Sequence, residues 1–234
     1  MQLSVVIPVC NEVKNIGIIY NSLSETLKAT NLDYEIIFVD DGSGDGTADS
    51  LLDLQSKDST VKVLSFIKNR GQGYALGRGI EEARGEIIIT MDGDLQNDPK
   101  DIPRLLDKIG EGYDVVSGWR RQRKDTFLTR VLPSIIANRI ISIITGLRLH
   151  DYGCSLKAYR KRVAKALPPF GDFHRYAPAF SLLNGSRVAE IEVNHHPRIF
   201  GCSKYGIGRV WKVAWEIVRL YFILRRANKA GLRP

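Results

Sequence analysis

The first half of the chain alternates short apolar runs, rich in valine and isoleucine, with longer amphipathic stretches. The apolar runs predict five β-strands, at 3–7, 35–39, 61–66, 86–91 and 114–117. The stretches between them predict helices near 13–30, 46–57, 72–84 and 99–111. Such an alternation indicates an α/β fold, in which helices cover both faces of a mostly parallel sheet. Ligands of these sheets bind beyond the carboxyl ends of the strands.

The second half of the chain has a different pattern. A helix is predicted over 131–147, with Arg130, Ser134 and Asn138 four residues apart along one polar edge. Residues 150–204 are expected to be compact and irregular, apart from one strand at 188–193. The segment 206–234 mixes aromatic residues with lysines and arginines and predicts a basic amphipathic helix. Such a helix either lies on a membrane surface or packs its tryptophans on the domain.

The two halves also differ in charge. Of the 234 residues, 44% are apolar and 26% are charged, which excludes a disordered chain. Residues 1–118 contain 11 Lys and Arg against 20 Asp and Glu, a net charge of −9. The remaining residues contain 23 against 6, a net charge of +17. The basic half is expected to face an anionic partner (nucleic acid, acidic lipid or a phosphorylated substrate), unless the charge only maintains solubility.

The chain has no pattern typical of export or membrane insertion. Its three cysteines are far apart and predict neither a disulfide framework nor a zinc site. Residue 1 leads directly into a strand pattern, and no run of about 18 uncharged apolar residues occurs. We therefore expect a cytoplasmic protein that contacts the cytoplasmic face of a membrane only peripherally.

An acidic motif follows the fourth predicted strand. Asp92 and Asp94 are one residue apart, so both carboxylates could bind one Mg²⁺ or Mn²⁺ that also binds a diphosphate. A single motif of this kind is also common in solvated turns. Here, however, Asp40 and Asp41 follow a neighbouring strand and form a second acidic turn. Their alternative role is to cap the next helix, which is predicted to begin near residue 46.

Four motifs occur in an order and spacing that resemble glycosyltransferase family 2, and within it the polyprenyl-phosphate group that includes dolichyl-phosphate mannose synthase. They are Val6-Ile7-Pro8-x-x-Asn11-Glu12, Val39-Asp40-Asp41-Gly42-Ser43-x-Asp45-Gly46-Thr47, Asn69-Arg70-Gly71-x-Gly73 and Met91-Asp92-Gly93-Asp94-Leu95-Gln96-x-x-Pro99. The resemblance extends over roughly residues 3–205 and implies a GT-A fold. It assigns residues 1–118 to a nucleotide-sugar half and 119–205 to an acceptor half of one catalytic domain.

The resemblance also implies roles for individual residues in the first half. The metal ion, Mg²⁺ or Mn²⁺, would be bound by Asp92, Asp94 and Gln96. Donor-binding positions in this half would be Pro8, Asn11, Glu12, Asp40, Asp41, Gly71 and Asp92. The usual Asp-Ala-Asp motif of the family stands here as Asp-Gly-Asp, which keeps both carboxylates.

In the second half, the resemblance assigns basic residues to phosphate groups. Arg120, Arg130 and Ser134 would bind the acceptor phosphate and, with Asp94, form the catalytic set. Arginine is suited to this role because its guanidinium can form two hydrogen bonds with phosphate oxygens. Arg198 and Lys204 match a late basic loop that closes over the donor diphosphate.

The choice of acceptor depends on whether the site needs a general base. A sugar hydroxyl must be deprotonated when it attacks, whereas a phosphate monoester is already anionic. The second half has only six carboxylates, no Glu-Asp pair and no Gln-x-x-Arg-Trp motif. We therefore predict metal-dependent, inverting transfer of a hexose from a GDP- or UDP-linked donor to a polyprenyl phosphate.

Two alternatives remain open at this point. The first is a saccharide hydroxyl acceptor with Asp151 as the base, although Asp151 could equally orient Lys157 or Arg160. The second concerns the membrane, since a membrane-anchoring partner subunit could replace direct contact. No nucleic-acid partner is expected, because the predicted cleft is acidic and no nucleic-acid-binding motif occurs.

Overall fold

The computed structural model describes residues 1–121, 132–167 and 173–200, together with residues 218, 219 and 222. Seven strands form one sheet within these residues. The strands are β1 (Leu3–Val9), β2 (Tyr34–Asp40), β3 (Val61–Ser65), β4 (Ile87–Thr90), β5 (Val115–Trp119), β6 (Lys157–Arg160) and β7 (Val188–Glu192). The helices are α1 (Val13–Ala29), α2 (Thr47–Lys57), α3 (Gln72–Glu82), α4 (Ile102–Gly110), α5 (Leu132–Thr145), α6 (Lys161–Lys165) and α7 (Phe173–Leu183), with a 3₁₀ turn at Pro99–Asp101.

The sheet is mostly parallel, as the sequence predicts. Its strand order is β3-β2-β1-β4-β6-β5-β7. Strands β1 to β4 pair in parallel, and β7 is parallel to β5. Strand β6 runs antiparallel to both of its neighbours, β4 and β5. The carboxyl ends of β1, β2 and β4 therefore lie along one edge of the sheet, where ligands of α/β folds bind.

The core lies on both faces of the sheet. In β1 every residue is buried, because successive side chains point to opposite faces. Leu3, Val5 and Ile7 pack with apolar residues of α1 and α4, whereas Val6 packs on the other face with residues of α3 and α6. This two-sided burial explains why the first strands are continuous apolar runs.

The expectation of an irregular segment over 150–204 is wrong in three places. The segment contains β6, α6 and α7, in addition to the predicted strand that forms β7. Strand β6 has only four residues, with charged side chains at both ends, so it lacks an alternating apolar pattern. Its Lys157 is nevertheless buried, because the ammonium group donates to the carbonyl oxygens of Tyr152 and Cys154.

Helix α5 corresponds to the helix predicted over 131–147. Its Ile141 is buried in a small cluster with Leu149, Tyr152 and residues of α7. Four other isoleucines of α5 are 41–76% exposed: Ile135, Ile136, Ile140 and Ile143. None of the helices in the described part of the chain combines the length and apolar character needed to cross a bilayer. The helix predicted over 206–234 lies almost entirely outside the described residues.

Candidate active site

The loops after β1 and β2 are joined by hydrogen bonds. Asn11 adopts a left-handed conformation with φ of 53°, and its side-chain oxygen accepts from the N–H of Gly44 at 2.8 Å. Its own N–H donates to the hydroxyl of Ser43 at 2.8 Å. The N–H of Glu12 donates to the hydroxyl of Thr47 at 2.9 Å. These contacts fix the predicted donor-binding residues after Pro8 to the second acidic turn.

The two carboxylates of that turn bind loop groups rather than cap α2. Asp40 accepts from the N–H of Ser43 at 3.2 Å and also from the Ser43 hydroxyl. Asp41 accepts with one oxygen from the N–H of Arg70 at 2.7 Å and with the other from Gly71 at 2.9 Å. The N–H of Thr47, where α2 begins, donates to Asp45 instead. The capping alternative for Asp40 and Asp41 therefore fails, and Asp41 links the ends of β2 and β3.

Asp92 and Asp94 lie at the end of β4, beside these loops. Asp92 accepts from the side-chain amide of Gln72 at 2.5 Å. Asp94 accepts from the N–H of Gln96 at 3.1 Å across a turn in which Leu95 has a φ of 63°. Burial, and after it the charge of Asp94, raises the pKa of Asp92 to about 6. Two carboxylates this close repel each other, so a cation between them would be stabilised.

A guanidinium already binds this carboxylate cluster. Arg198 donates from Nη2 to Asp94 Oδ2 at 2.5 Å and to the side-chain oxygen of Gln96 at 3.3 Å. Its Nη1 lies 4.0 Å from Glu12 Oε1. Arg198 therefore connects the late part of the chain to the ends of β1 and β4. The predicted donor-binding position of Arg198 falls inside the cleft.

The donor groups of this cluster fit a hard divalent cation. Carboxylate and amide oxygens are suitable ligands for Mg²⁺ or Mn²⁺, and such ions retain positions for substrate phosphates. Within the described ranges no group of three or more His, Cys, Asp or Glu side chains forms a complete metal-binding cluster. Asp92, Asp94 and Gln96 could hold such a cation together with ligands from a bound phosphate or water.

The predicted acceptor side of the cleft contains a buried ion pair. Arg120 donates from Nε to Asp151 Oδ2 at 2.7 Å and from Nη2 to Asp151 Oδ1 at 3.1 Å. The two side chains are only 15% and 4% exposed. Burial lowers the pKa of Arg120, but the Asp151 carboxylate more than offsets this and the net pKa is raised. Arg120 also lowers the pKa of Asp92, so its charge acts on the cleft.

The structure corrects the expected orienting role of Asp151. The side chain orients Arg120, rather than Lys157 or Arg160. Arg160 donates to the carbonyl of Ile109 at 2.9 Å. Lys157 is held by two backbone carbonyls, and its burial lowers its pKa to about 8. The pairing of residues 120 and 151 was not apparent in the sequence, because no local pattern relates them.

Three of the predicted residues cannot be located fully. Arg130 and Lys204 lie outside the described residues. Ser134 belongs to α5, but its side chain is not described. Conversely, the structure adds Gln72 and Asn97 to the cleft, through the hydrogen bonds that they form with Asp92. Gln72 directly follows the Asn-Arg-Gly motif, and Asn97 directly follows Gln96, so their positions next to motifs were the available signals.

Comparison with known proteins agrees with this arrangement. The chain matches the family model for glycosyl transferase family 2 over residues 4–167. It is 39% identical over 235 residues to dodecaprenyl-phosphate galacturonate synthase of Rhizobium johnstonii, and the match covers 99% of this chain and 70% of the relative. The chain therefore belongs to glycosyl transferase family 2, and it is a glycosyltransferase.

Solved structures with similar folds are also glycosyltransferases. Glucosyl-3-phosphoglycerate synthase from Mycobacterium tuberculosis, in complex with Mn²⁺, UDP and phosphoglyceric acid, has a TM-score of 0.70 at 21% identity. The match covers 97% of this chain and 78% of that structure. A mannosyltransferase from Pyrobaculum calidifontis with GDP-Man and Mn²⁺ has a TM-score of 0.66 at 16% identity, covering 96% and 64%. At these identities the likeness concerns the fold, and it confirms the predicted GT-A architecture.

Proposed function

We propose that this glycosyltransferase transfers a hexose-type sugar from a nucleotide-diphosphate donor to a polyprenyl phosphate at a membrane surface. The observation that carries the proposal is the buried Arg120–Asp151 pair, which holds a fixed positive charge beside Asp92. The 39% identical relative is named for a dodecaprenyl-phosphate product, which supports the same acceptor class here. The nucleotides named with the solved neighbours, UDP and GDP-Man, support a UDP- or GDP-linked sugar.

On the donor side, carboxylates and Arg198 act on the diphosphate. A bound Mg²⁺ or Mn²⁺ would neutralise the charge that develops on the departing nucleoside diphosphate. Asp92, Asp94 and Gln96 supply the protein oxygens for it. Arg198, which contacts Asp94 and Gln96, lies where its guanidinium can pair with diphosphate oxygens. Asp41 keeps the loop at Gly71 in position for the nucleotide.

On the acceptor side, the attacking group needs a positive partner rather than a base. A phosphate oxygen of the acceptor attacks the anomeric carbon, the bond from that carbon to the diphosphate breaks, and the configuration inverts. Arg120, with Arg130 and Ser134, binds and orients the acceptor phosphate. Both oxygens of Asp151 already accept hydrogen bonds from Arg120, so a hydroxyl proton would have to compete with the guanidinium for them. This occupancy favours a phosphate acceptor over a sugar hydroxyl.

The outer face of α5 supports contact with a membrane. Its four exposed isoleucines lie on one side of a helix that begins two residues after Arg130, and the exposed Arg139 lies among them. An apolar helix face flanked by basic residues is typical of a segment lying in the bilayer interface. We place the enzyme on the cytoplasmic face, where a polyprenyl phosphate headgroup would meet the cleft.

The test is transfer from labelled nucleotide sugars to a polyprenyl phosphate in detergent, with and without Mg²⁺ or Mn²⁺. The panel includes UDP-linked hexoses, a UDP-linked hexuronic acid and GDP-mannose. Metal-dependent label in the lipid fraction is the expected result. Label that appears only on added saccharides would contradict the proposal and support the hydroxyl acceptor, with Asp151 as the base.

A further inference from the structure

The carboxylate of Glu190, in strand β7, binds the two residues that precede Tyr152. Its Oε1 accepts from the N–H of Asp151 at 2.9 Å, and its Oε2 accepts from the N–H of His150 at 3.0 Å. Oε2 also lies 2.7 Å from the ring Nδ1 of His150. The Glu190 side chain is only 10% exposed. A single buried carboxylate therefore binds three polar groups of the loop between α5 and β6.

The two residues bound by Glu190 contact Arg120 and its neighbour Trp119. Asp151, whose backbone is bound by Glu190, forms the bidentate pair with Arg120. His150, bound by the same carboxylate, stacks on Trp119, with ring centroids 4.1 Å apart and an interplanar angle of 18°. Trp119 and Arg120 are consecutive residues at the end of β5, which is paired in parallel with β7. The loop is thus fixed to this strand end at two adjacent points.

A carboxylate is the side chain that this arrangement requires. Both N–H groups need acceptors, and an ionised carboxylate provides one oxygen for each of them. A glutamine would retain one acceptor oxygen and place an NH₂ donor against one of the N–H groups. That change leaves one of the two N–H groups facing a donor instead of an acceptor, and the loop has to shift to satisfy it.

We propose that Glu190 is a positioning residue, which sets the direction of the Arg120 guanidinium through Asp151 so that it meets the acceptor phosphate. The inference rests on the proposed function in one respect, the role of Arg120 toward that phosphate. Glu190 does not contact the substrate. Its effect is geometric and concerns the acceptor rather than the donor.

The first test compares Glu190→Gln with the wild-type enzyme in steady-state transfer. We expect the KM for the acceptor to rise about tenfold or more, since small displacements of an orienting group have effects of this size. The KM for the nucleotide sugar should stay unchanged, because the side-chain contacts of Glu190 are to His150 and Asp151 and to none of the proposed donor residues. Glu190→Asp retains two acceptor oxygens and should recover part of the loss.

Glu192→Gln is the matched control. Glu192 lies two residues further along β7 and forms an exposed pair with Arg121 at 3.3 Å. This variant should keep both KM values. A purely structural role for Glu190 would lower the thermal stability and the active fraction while leaving the acceptor KM unchanged, and that result would overturn the proposal.

A second measurement separates this inference from the proposed function. The Nε–H group of Arg120 is buried against Asp151, so its ¹H–¹⁵N signal should exchange slowly with water; the signal is assigned by its loss in Arg120→Lys. We expect it to persist in Glu192→Gln and to exchange faster or broaden in Glu190→Gln. An unchanged signal would overturn the positioning role, whatever acceptor the enzyme uses. If wild-type enzyme does not glycosylate polyprenyl phosphate but the signal responds, the proposed acceptor is wrong and the positioning role stands.

Discussion

The donor and acceptor sides of the cleft use their carboxylates in different ways. On the donor side, Asp40 binds a backbone N–H group of its own turn, and Asp41 binds two N–H groups of the loop after β3. On the acceptor side, Asp151 binds the guanidinium of Arg120. The first arrangement holds chain segments together, whereas the second holds a charge in one orientation. We therefore expect the donor side to position a ligand through rigid loops, and the acceptor side to position one through the oriented charge of Arg120.

Arg198 is where the two sides meet. It follows β7 in the chain, yet its guanidinium contacts Asp94, Gln96 and Glu12 on the donor side. Arg198 thus pairs the basic second half of the chain with carboxylates of the acidic first half. Substitutions on the donor side should therefore change nucleotide or metal binding, whereas substitutions near Arg120 should change binding of the acceptor. Four predictions test this separation.

The largest effect is expected for Asp94→Asn. The variant loses a ligand charge of the predicted cation and the partner of Arg198, so we expect transfer to fall about a thousandfold, as for loss of a central electrostatic group. Metal-dependent binding of UDP or GDP, measured by calorimetry, should weaken in parallel. Asp107→Asn, at an exposed position of α4, should behave as wild type. Near-normal turnover of Asp94→Asn would disprove the assignment of Asp94 to the metal.

The next largest effect is expected for Asp151→Asn. Breaking a buried ion pair leaves Arg120 without its counter-charge, which typically costs about 3–5 kcal/mol of unfolding free energy. Denaturant unfolding measures this loss, and nucleotide binding should persist in the folded fraction. The double variant Arg120→Met with Asp151→Leu should recover stability without recovering transfer. If the double variant transfers sugar normally, the acceptor side does not depend on this charge.

A smaller effect is expected for Gly93→Ala, on the donor side. A Cβ at position 93 would lie 2.5 Å from Cγ1 of Val9, so alanine overpacks the contact and should cost about 1–3 kcal/mol. Adding Val9→Ala removes that clash and should restore part of the loss. Gly17→Ala in α1, where no atom lies within 4 Å of the added Cβ, should instead stabilise the protein slightly. Equal melting temperatures for Gly93→Ala and wild type would contradict the overpacking.

The smallest effect is expected for Arg121→Gln. Arg121 is the neighbour of Arg120, but it pairs with Glu192 at the surface, where the side chains are 63% and 43% exposed. Exposed pairs contribute less than about 1 kcal/mol. Unfolding free energy and the acceptor KM should both stay close to the wild-type values. A large rise in the acceptor KM would show that the basic surface as a whole, rather than Arg120, binds the acceptor.

The fold was predictable where burial imposes a regular period. Strand β1 is buried on both faces, and its apolar run predicted it within two residues. Strand β6 was missed because its four residues are held by antiparallel pairing on both sides and by contacts of Lys157, which have no local pattern. The central position of β6 therefore depends on tertiary structure alone.

Part of the candidate site was also predictable from local sequence patterns, and part was not. The strand-end motifs identified Asp92, Asp94 and the loops of Asp40 and Asp41, because chain position alone brings carboxyl ends of parallel strands together. The Arg120–Asp151 pair joins residues 31 positions apart, and Glu190 joins the loop from a further strand. Such pairings follow from the reversed direction of β6, which local patterns do not encode.

The close approach of Gly93 to Val9 also has an evolutionary consequence. The Asp-Gly-Asp motif and a valine at position 9 form a matched pair, whereas an Asp-Ala-Asp motif requires a smaller neighbour or a displaced first strand. A single substitution at either position 9 or position 93 changes a tightly packed contact and lowers stability. Lineages are therefore expected to retain one combination or the other, and to exchange them only by paired substitution.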